Sequence, residues 1–171
     1  MKKEVRIRIS TIVIIILLII GIVVICKNYI KNENILKFKV SDVTCKPGEE
    51  ITIHIEMLED SNFVAGNFEL TYDKEKMECI NYEKGEILEN GAMSIINNDT
   101  DNGKVLIGYV AEPNEENTIQ KAGNLASIIF KINEEINDTT VNPEFSCSTL
   151  KAEDGTDIPN EIEQGIIKVQ K

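Results

Sequence analysis

The stretch "ITIHIEML", residues 51–58, narrows the possible folds more than any other. Ile51, Ile53, Ile55 and Met57 alternate with Thr52, His54 and Glu56. A period of two puts an apolar row on one face and a polar row on the other, which is a half-buried β-strand. "NFELTYD" repeats the pattern, with Phe68, Leu70 and Tyr72 on one side and Asn67, Glu69 and Thr71 on the other. Segments of this kind recur along the chain: "LKFKVSDVT", "KMECIN", "AMSIIN", "KVLIGYVA", "LASIIFKI", "EFSCSTL" and "GIIKVQ". Turn residues lie between them. Pro47-Gly48 marks a tight turn, and "NDTDNGK" and "AEDGTD" each set Asp or Asn before Gly as hairpins do. Strands with two distinct faces and no convincing amphipathic helix imply an all-β fold. The expectation is a nine-stranded antiparallel β-sandwich in which each sheet buries one face.

The first residues follow a different rule. "MKKEVRIR", residues 1–8, is basic, and residues 9–26, "ISTIVIIILLIIGIVVIC", carry no charge. Eighteen residues at about 1.5 Å each span roughly 27 Å, close to a hydrocarbon core. No small-x-small cleavage site ends the run, and Cys26 follows Ile25 and Val24 where a lipoprotein signal wants small residues. The segment therefore reads as an uncleaved transmembrane signal-anchor, a single pass through the cell membrane. Its basic flank holds the N-terminus in the cytoplasm and places the C-terminal domain outside the cell. Residues 27–35 form a polar tether, and residues 36–171 form the exterior domain.

Charge divides the same way. Residues 1–32 hold six Lys or Arg against one Glu, +5, so the net charge of −11 leaves −16 for residues 33–171. So acidic a domain does not bind nucleic acid by counterion release. Cys45, Cys79 and Cys147 show no metal-binding spacing and allow at most one disulfide within the domain, while the apolar neighbours of Cys79 and Cys147 favour buried thiols there.

Chemistry is sparse. His54 is the one histidine, on the polar side of its strand, and no serine stands in a nucleophile-elbow setting. "NNDTDNGK" places Asn98, Thr100 and Asn102 at the first EF-hand ligand positions and Tyr109 where a bidentate Glu is required. It is a hairpin turn. The chain reads as a binding protein without catalytic residues, metal or cofactor of its own. Phe68, Tyr72, Tyr109 and Phe130 fall on inward positions, which leaves Tyr82 as the exposed aromatic a sugar ring could stack on.

One strand breaks the alternation. In "VLIGYV", if Val105, Ile107 and Tyr109 point inward, then Leu106, Gly108 and Val110 point outward. An antiparallel sandwich should show polar residues there. Either these are isolated exposed apolar residues of the ordinary kind, or the outer face is covered by something that binds there.

The ordered series "VTCKPGEEITIHIEML", "AGNFELTYDKEKMECINYEKGEIL", "DNGKVLIGYVAEP" and "GNLASIIFKI" resembles a cohesin domain from Leu36 to about Gln170. Cohesins share the early P-G turn, an F-x-L-x-Y-D strand, an N-G-x-[IV]-x-[IL] hairpin and a late A-x-I-x-F-x-[IV] strand. The resemblance implies a jelly-roll topology and a dockerin as partner, a small helical module on a secreted polysaccharide-degrading enzyme. It also implies that calcium sits on the dockerin and not on this chain. The docking sheet would be built from "NFELTYD", "AMSIIN", "KVLIGYVA" and "EFSCSTL". Asn67 stands where cohesins commonly show Asp, and Glu112 matches the acidic residue that often follows the sixth strand. Glu69, Leu106, Gly108 and Val110 complete the expected partner-binding set. Two other functions fit the same fold: a carbohydrate- or wall-binding module, and a structural or adhesin-like surface domain.

Overall fold

The computed structural model describes residues 35–89, 93–111 and 121–170, which belong to one compact unit, Ile35–Lys171. The span expected over residues 9–26 lies outside the described residues. Among those described, no helix is long and apolar enough to cross a membrane.

The chain forms β1 (Leu36–Val40), β2 (Val43–Cys45), β3 (Glu50–Met57), β4 (Phe63–Thr71) and β5 (Met77–Lys84). After a single helical turn, α1 (Glu86–Glu89), come β6 (Met93–Asp99), β7 (Lys104–Val110) and β8 (Gly123–Ile132). The series ends with β9 (Thr140–Val141), β10 (Glu144–Ala152), β11 (Asn160–Glu163) and β12 (Ile167–Val169). A five-stranded sheet runs β11-β1-β3-β8-β5, a four-stranded sheet β10-β4-β7-β6, and a small third sheet β2-β12-β9.

The strand count corrects the expected nine to twelve among the described residues. "LKFKVSDVT" breaks at Ser41-Asp42, where the Ser41 amide donates to the His54 carbonyl at 2.9 Å, and its halves join different sheets. β9 is two residues long, too short to show a period. β11, "NEIE", has one apolar residue and lies at a sheet edge, where charge discourages further pairing. The expected all-antiparallel pairing is also corrected. β1 pairs with β11 and β2 with β12 in parallel, so each of the first two strands runs beside one of the last two. A parallel pair needs a long connection, and here almost the whole domain supplies it.

The core lies between the two large sheets. Phe38 on β1 meets Phe68 on β4 edge-on at 5.3 Å and Phe145 on β10 at 6.1 Å, while Phe68 and Phe145 stack at 5.8 Å. Tyr72 meets Phe130 across the sheets at 5.0 Å. All four aromatics placed inward from the sequence (Phe68, Tyr72, Tyr109, Phe130) are buried.

Turn chemistry fixes the register. Gly48 follows Pro47 with φ +80°, the left-handed conformation that a type II turn demands, and the Glu49 amide closes the turn on the Lys46 carbonyl. Gly103 ends the β6–β7 hairpin with φ +64°, and a Cβ there would lie 2.5 Å from the Tyr72 carbonyl oxygen. "NDTDNGK" is thus the hairpin its sequence implied.

Cys45 and Cys79 are buried, Cys147 is half-buried, and all three are free thiols. Cys79 and Cys147 each sit at a β-bulge, and each Sγ donates to the carbonyl two residues on, of Asn81 at 3.7 Å and Thr149 at 3.4 Å. Burial pushes both thiols up to about 11. Alkylation of either by iodoacetamide at pH 8 should therefore be much slower than for an exposed cysteine, which mass spectrometry of the folded chain can time.

Candidate docking face

Alternation along the four strands of the second sheet decides which residues look outward. On β4 these are Ala65, Asn67, Glu69 and Thr71; on β7, Lys104, Leu106, Gly108 and Val110. Register then aligns them in rows. Asn67 faces Gly108, which faces Ile95 on β6; Glu69 faces Leu106, which faces Asn97; Ala65 faces Val110, which faces Met93. β10 continues two rows with Thr149 opposite Asn67 and Ser146 opposite Glu69.

The strands singled out from the sequence as a docking sheet thus form one sheet, in the order β10-β4-β7-β6. Five of the six expected contact residues, Asn67, Glu69, Leu106, Gly108 and Val110, share its outer face. Glu112 lies outside the described residues.

Sequence reasoning missed Met93, Ile95 and Asn97. Met93 and Ile95 are the most exposed large apolar side chains on this face, at 56% and 55%, ahead of Val110 at 46% and Leu106 at 38%. The signal that flagged β7 was also present in "AMSIIN", where Ile95 and the buried Ile96 are apolar on opposite sides. These four residues form one contiguous apolar patch. Beside it is a depression of about 600 Å³ lined by Asn67, Glu69, Ile95, Asn97, Leu106 and Gly108.

Glu69 is also paired within the sheet. Lys104 Nζ donates to Glu69 Oε1 at 2.8 Å, and Thr71 Oγ1 donates to the same oxygen at 3.2 Å. The Lys104 ammonium holds the Glu69 carboxyl below the usual carboxylate range. Glu69 is half of an ion pair on the sheet surface. A group with a depressed folded-state pKa adds stability above its unfolded pKa and loses it as pH falls through the folded one. Lys104→Met should raise the Glu69 midpoint toward the ordinary carboxylate value, as a carboxyl-carbon NMR titration would read.

Among the described residues, the outer face of the five-stranded sheet shows fewer large exposed apolar side chains. His54 Nδ1 lies 3.0 Å from Ser127 Oγ, and the His54 amide donates to Ser41 Oγ at 2.9 Å, so the histidine is tied into a polar surface network. Tyr82 on β5 is 38% exposed, beside Ile80 at 42%. Among the described residues, no group of three or more His, Cys, Asp or Glu could hold a metal ion.

The described residues thus form a β-sandwich with an exposed apolar patch on the outer face of one sheet. The family comparison is specific: the cohesin domain model matches residues 36–169, and the chain belongs to the cohesin domain family. No curated protein sequence matches it. Among solved structures, the third ScaC cohesin of Acetivibrio cellulolyticus, in complex with the ScaB dockerin, is similar with a TM-score of 0.72 and 18% identity, covering 80% of this chain and 100% of that one. The OlpA cohesin of Clostridium thermocellum, in a type I cohesin–dockerin complex, gives 0.70 and 17% over the same shares. A non-cellulosomal cohesin from the archaeon Archaeoglobus fulgidus gives 0.64 and 13%, covering 80% and 92%.

Proposed function

We propose that the chain is a cell-surface cohesin that captures dockerin-bearing, polysaccharide-degrading enzymes through the outer face of the β10-β4-β7-β6 sheet. The observation that carries this reading is the exposed patch of Met93, Ile95, Leu106 and Val110 on that sheet of a cohesin domain. Four large apolar side chains side by side have the composition of an interface centre, around which Asn67, Asn97 and Ser146 supply a polar rim. The chain acts by binding and not by catalysis. Held at the membrane by residues 9–26, with its N-terminus cytoplasmic, the jelly-roll domain would concentrate enzymes at the cell surface.

Two experiments test the parts separately. Capture on the immobilised full chain from the same organism's secreted proteins should recover, in calcium, enzymes that carry a dockerin. Recovery of no dockerin protein would refute the partner. Carbonate washing should leave the intact chain in the membrane fraction with its C-terminal domain open to external protease, and release by carbonate would refute the anchor.

A carbohydrate-binding reading draws on Tyr82 and Ile80, exposed together on β5. It requires that polysaccharide retard the chain in affinity electrophoresis and that Tyr82→Ala remove the effect.

A further inference from the structure

Gly108 lines the depression on the outer face of the β10-β4-β7-β6 sheet together with Asn67, Ile95 and Leu106. A Cβ on Gly108 would meet nothing nearer than Asn67 Oδ1 at 3.8 Å, and Gly108 is not among the glycines with positive φ. Neither backbone conformation nor packing inside the domain calls for glycine there. Glycine in a strand interior weakens the strand, and it commonly marks a place where another molecule approaches closely. Gly108 is flanked by Asn67 on β4 and Ile95 on β6, with Leu106 and Val110 on either side along β7. Among the described residues, the charged side chain lining the depression is Glu69, and Lys104 pairs with it at 2.8 Å. A charged side chain entering the depression would lose water and, among the described residues that line it, find no unpaired counter-charge.

Resting on the dockerin reading above, we propose that Gly108 is the specificity-determining opening of this face, into which the dockerin inserts one uncharged, apolar side chain. Affinity then depends on apolar fit at residue 108 and not on ion pairing. The partner's contact surface is aliphatic where it crosses the Ile95–Gly108–Asn67 row.

The test is calorimetric titration of the full chain with a purified, calcium-loaded dockerin from the same organism, for wild type, Gly108→Ala and Gly108→Leu. Leucine should fill the opening and weaken binding by roughly 50-fold or more, while alanine costs only a few-fold. Wild-type affinity should change less than about threefold between roughly 50 and 500 mM NaCl, because no net charge is paired across the interface. Melting curves should show both variants folded. Wild-type affinity in a folded Gly108→Leu would overturn the inference, as would a tenfold loss of affinity in salt; either leaves dockerin binding itself standing. Failure of wild type to bind any dockerin would overturn the functional reading and this inference with it.

Discussion

Leu106→Asp and Val110→Asp are each expected to weaken dockerin binding by about 100-fold or more and to leave the fold unchanged. Both side chains point away from the core, Leu106 at 38% and Val110 at 46% exposure, while their neighbours Val105, Ile107 and Tyr109 fill it. An exposed aspartate costs the free domain little. In a complex the same carboxylate is desolvated among Met93, Ile95 and the partner's apolar groups with nothing to pair with. Losing an anchor at an interface centre costs about 2 kcal/mol or more, and an uncompensated charge adds to that, which together exceed the 2.7 kcal/mol or so of a hundredfold change. Calorimetric titration alongside circular dichroism separates lost binding from lost folding. Unchanged affinity in both variants would remove this face from the interface.

The second large effect belongs to the core. Phe68→Ala is expected to cost about 3–5 kcal/mol, a large share of the 5–15 kcal/mol that stabilises a typical domain. Phe68 is 3% exposed and touches three rings: Phe38 at 5.3 Å, Phe145 at 5.8 Å and Phe63 at 6.4 Å. Its ring also lies over Gly66, where a Cβ would sit 2.7 Å from Phe68 Cε2. The absent side chain at 66 is the space the ring occupies. Removing the ring empties the junction of β1, β4 and β10, and rigid strands on both sides cannot collapse to refill it. A melting temperature lower by roughly 10–20 °C is the expected reading for a domain of this size. Because Asn67 and Glu69 share β4 with Phe68, this variant should also lose binding near its melting transition, in contrast to the folded Leu106→Asp.

How much of this was legible in the sequence follows from period two. Ile51 to Met57 and Phe68 to Tyr72 announce strands and the side that is buried, because alternation needs no knowledge of neighbours. Leu106 and Val110 stood out because they are apolar where a solvent face should be polar. Met93 and Ile95 carry the same anomaly in a shorter strand, and only the register Met93↔Val110 and Ile95↔Gly108 joins them to the patch. The Glu69–Lys104 pair was hidden for a related reason. Their 35-residue separation becomes a 2.8 Å contact only when Thr71 stands opposite Lys104 and Glu69 opposite Leu106. Register is a property of two strands and cannot be read from either alone. The parallel closure by β11 and β12 was equally silent, since "NEIE" looks like a polar loop until its partner strand is known.

Binding of a calcium-loaded dockerin to this sheet face is the property on which the proposed function depends. The most direct measurement is a titration of the purified full chain with dockerins from the same organism, in calcium and again with a chelator. Saturable one-to-one binding with at least one dockerin is expected, lost when calcium is removed and lost in Leu106→Asp. Absence of binding to every dockerin tried, by a folded chain that retains polysaccharide through Tyr82, would contradict it.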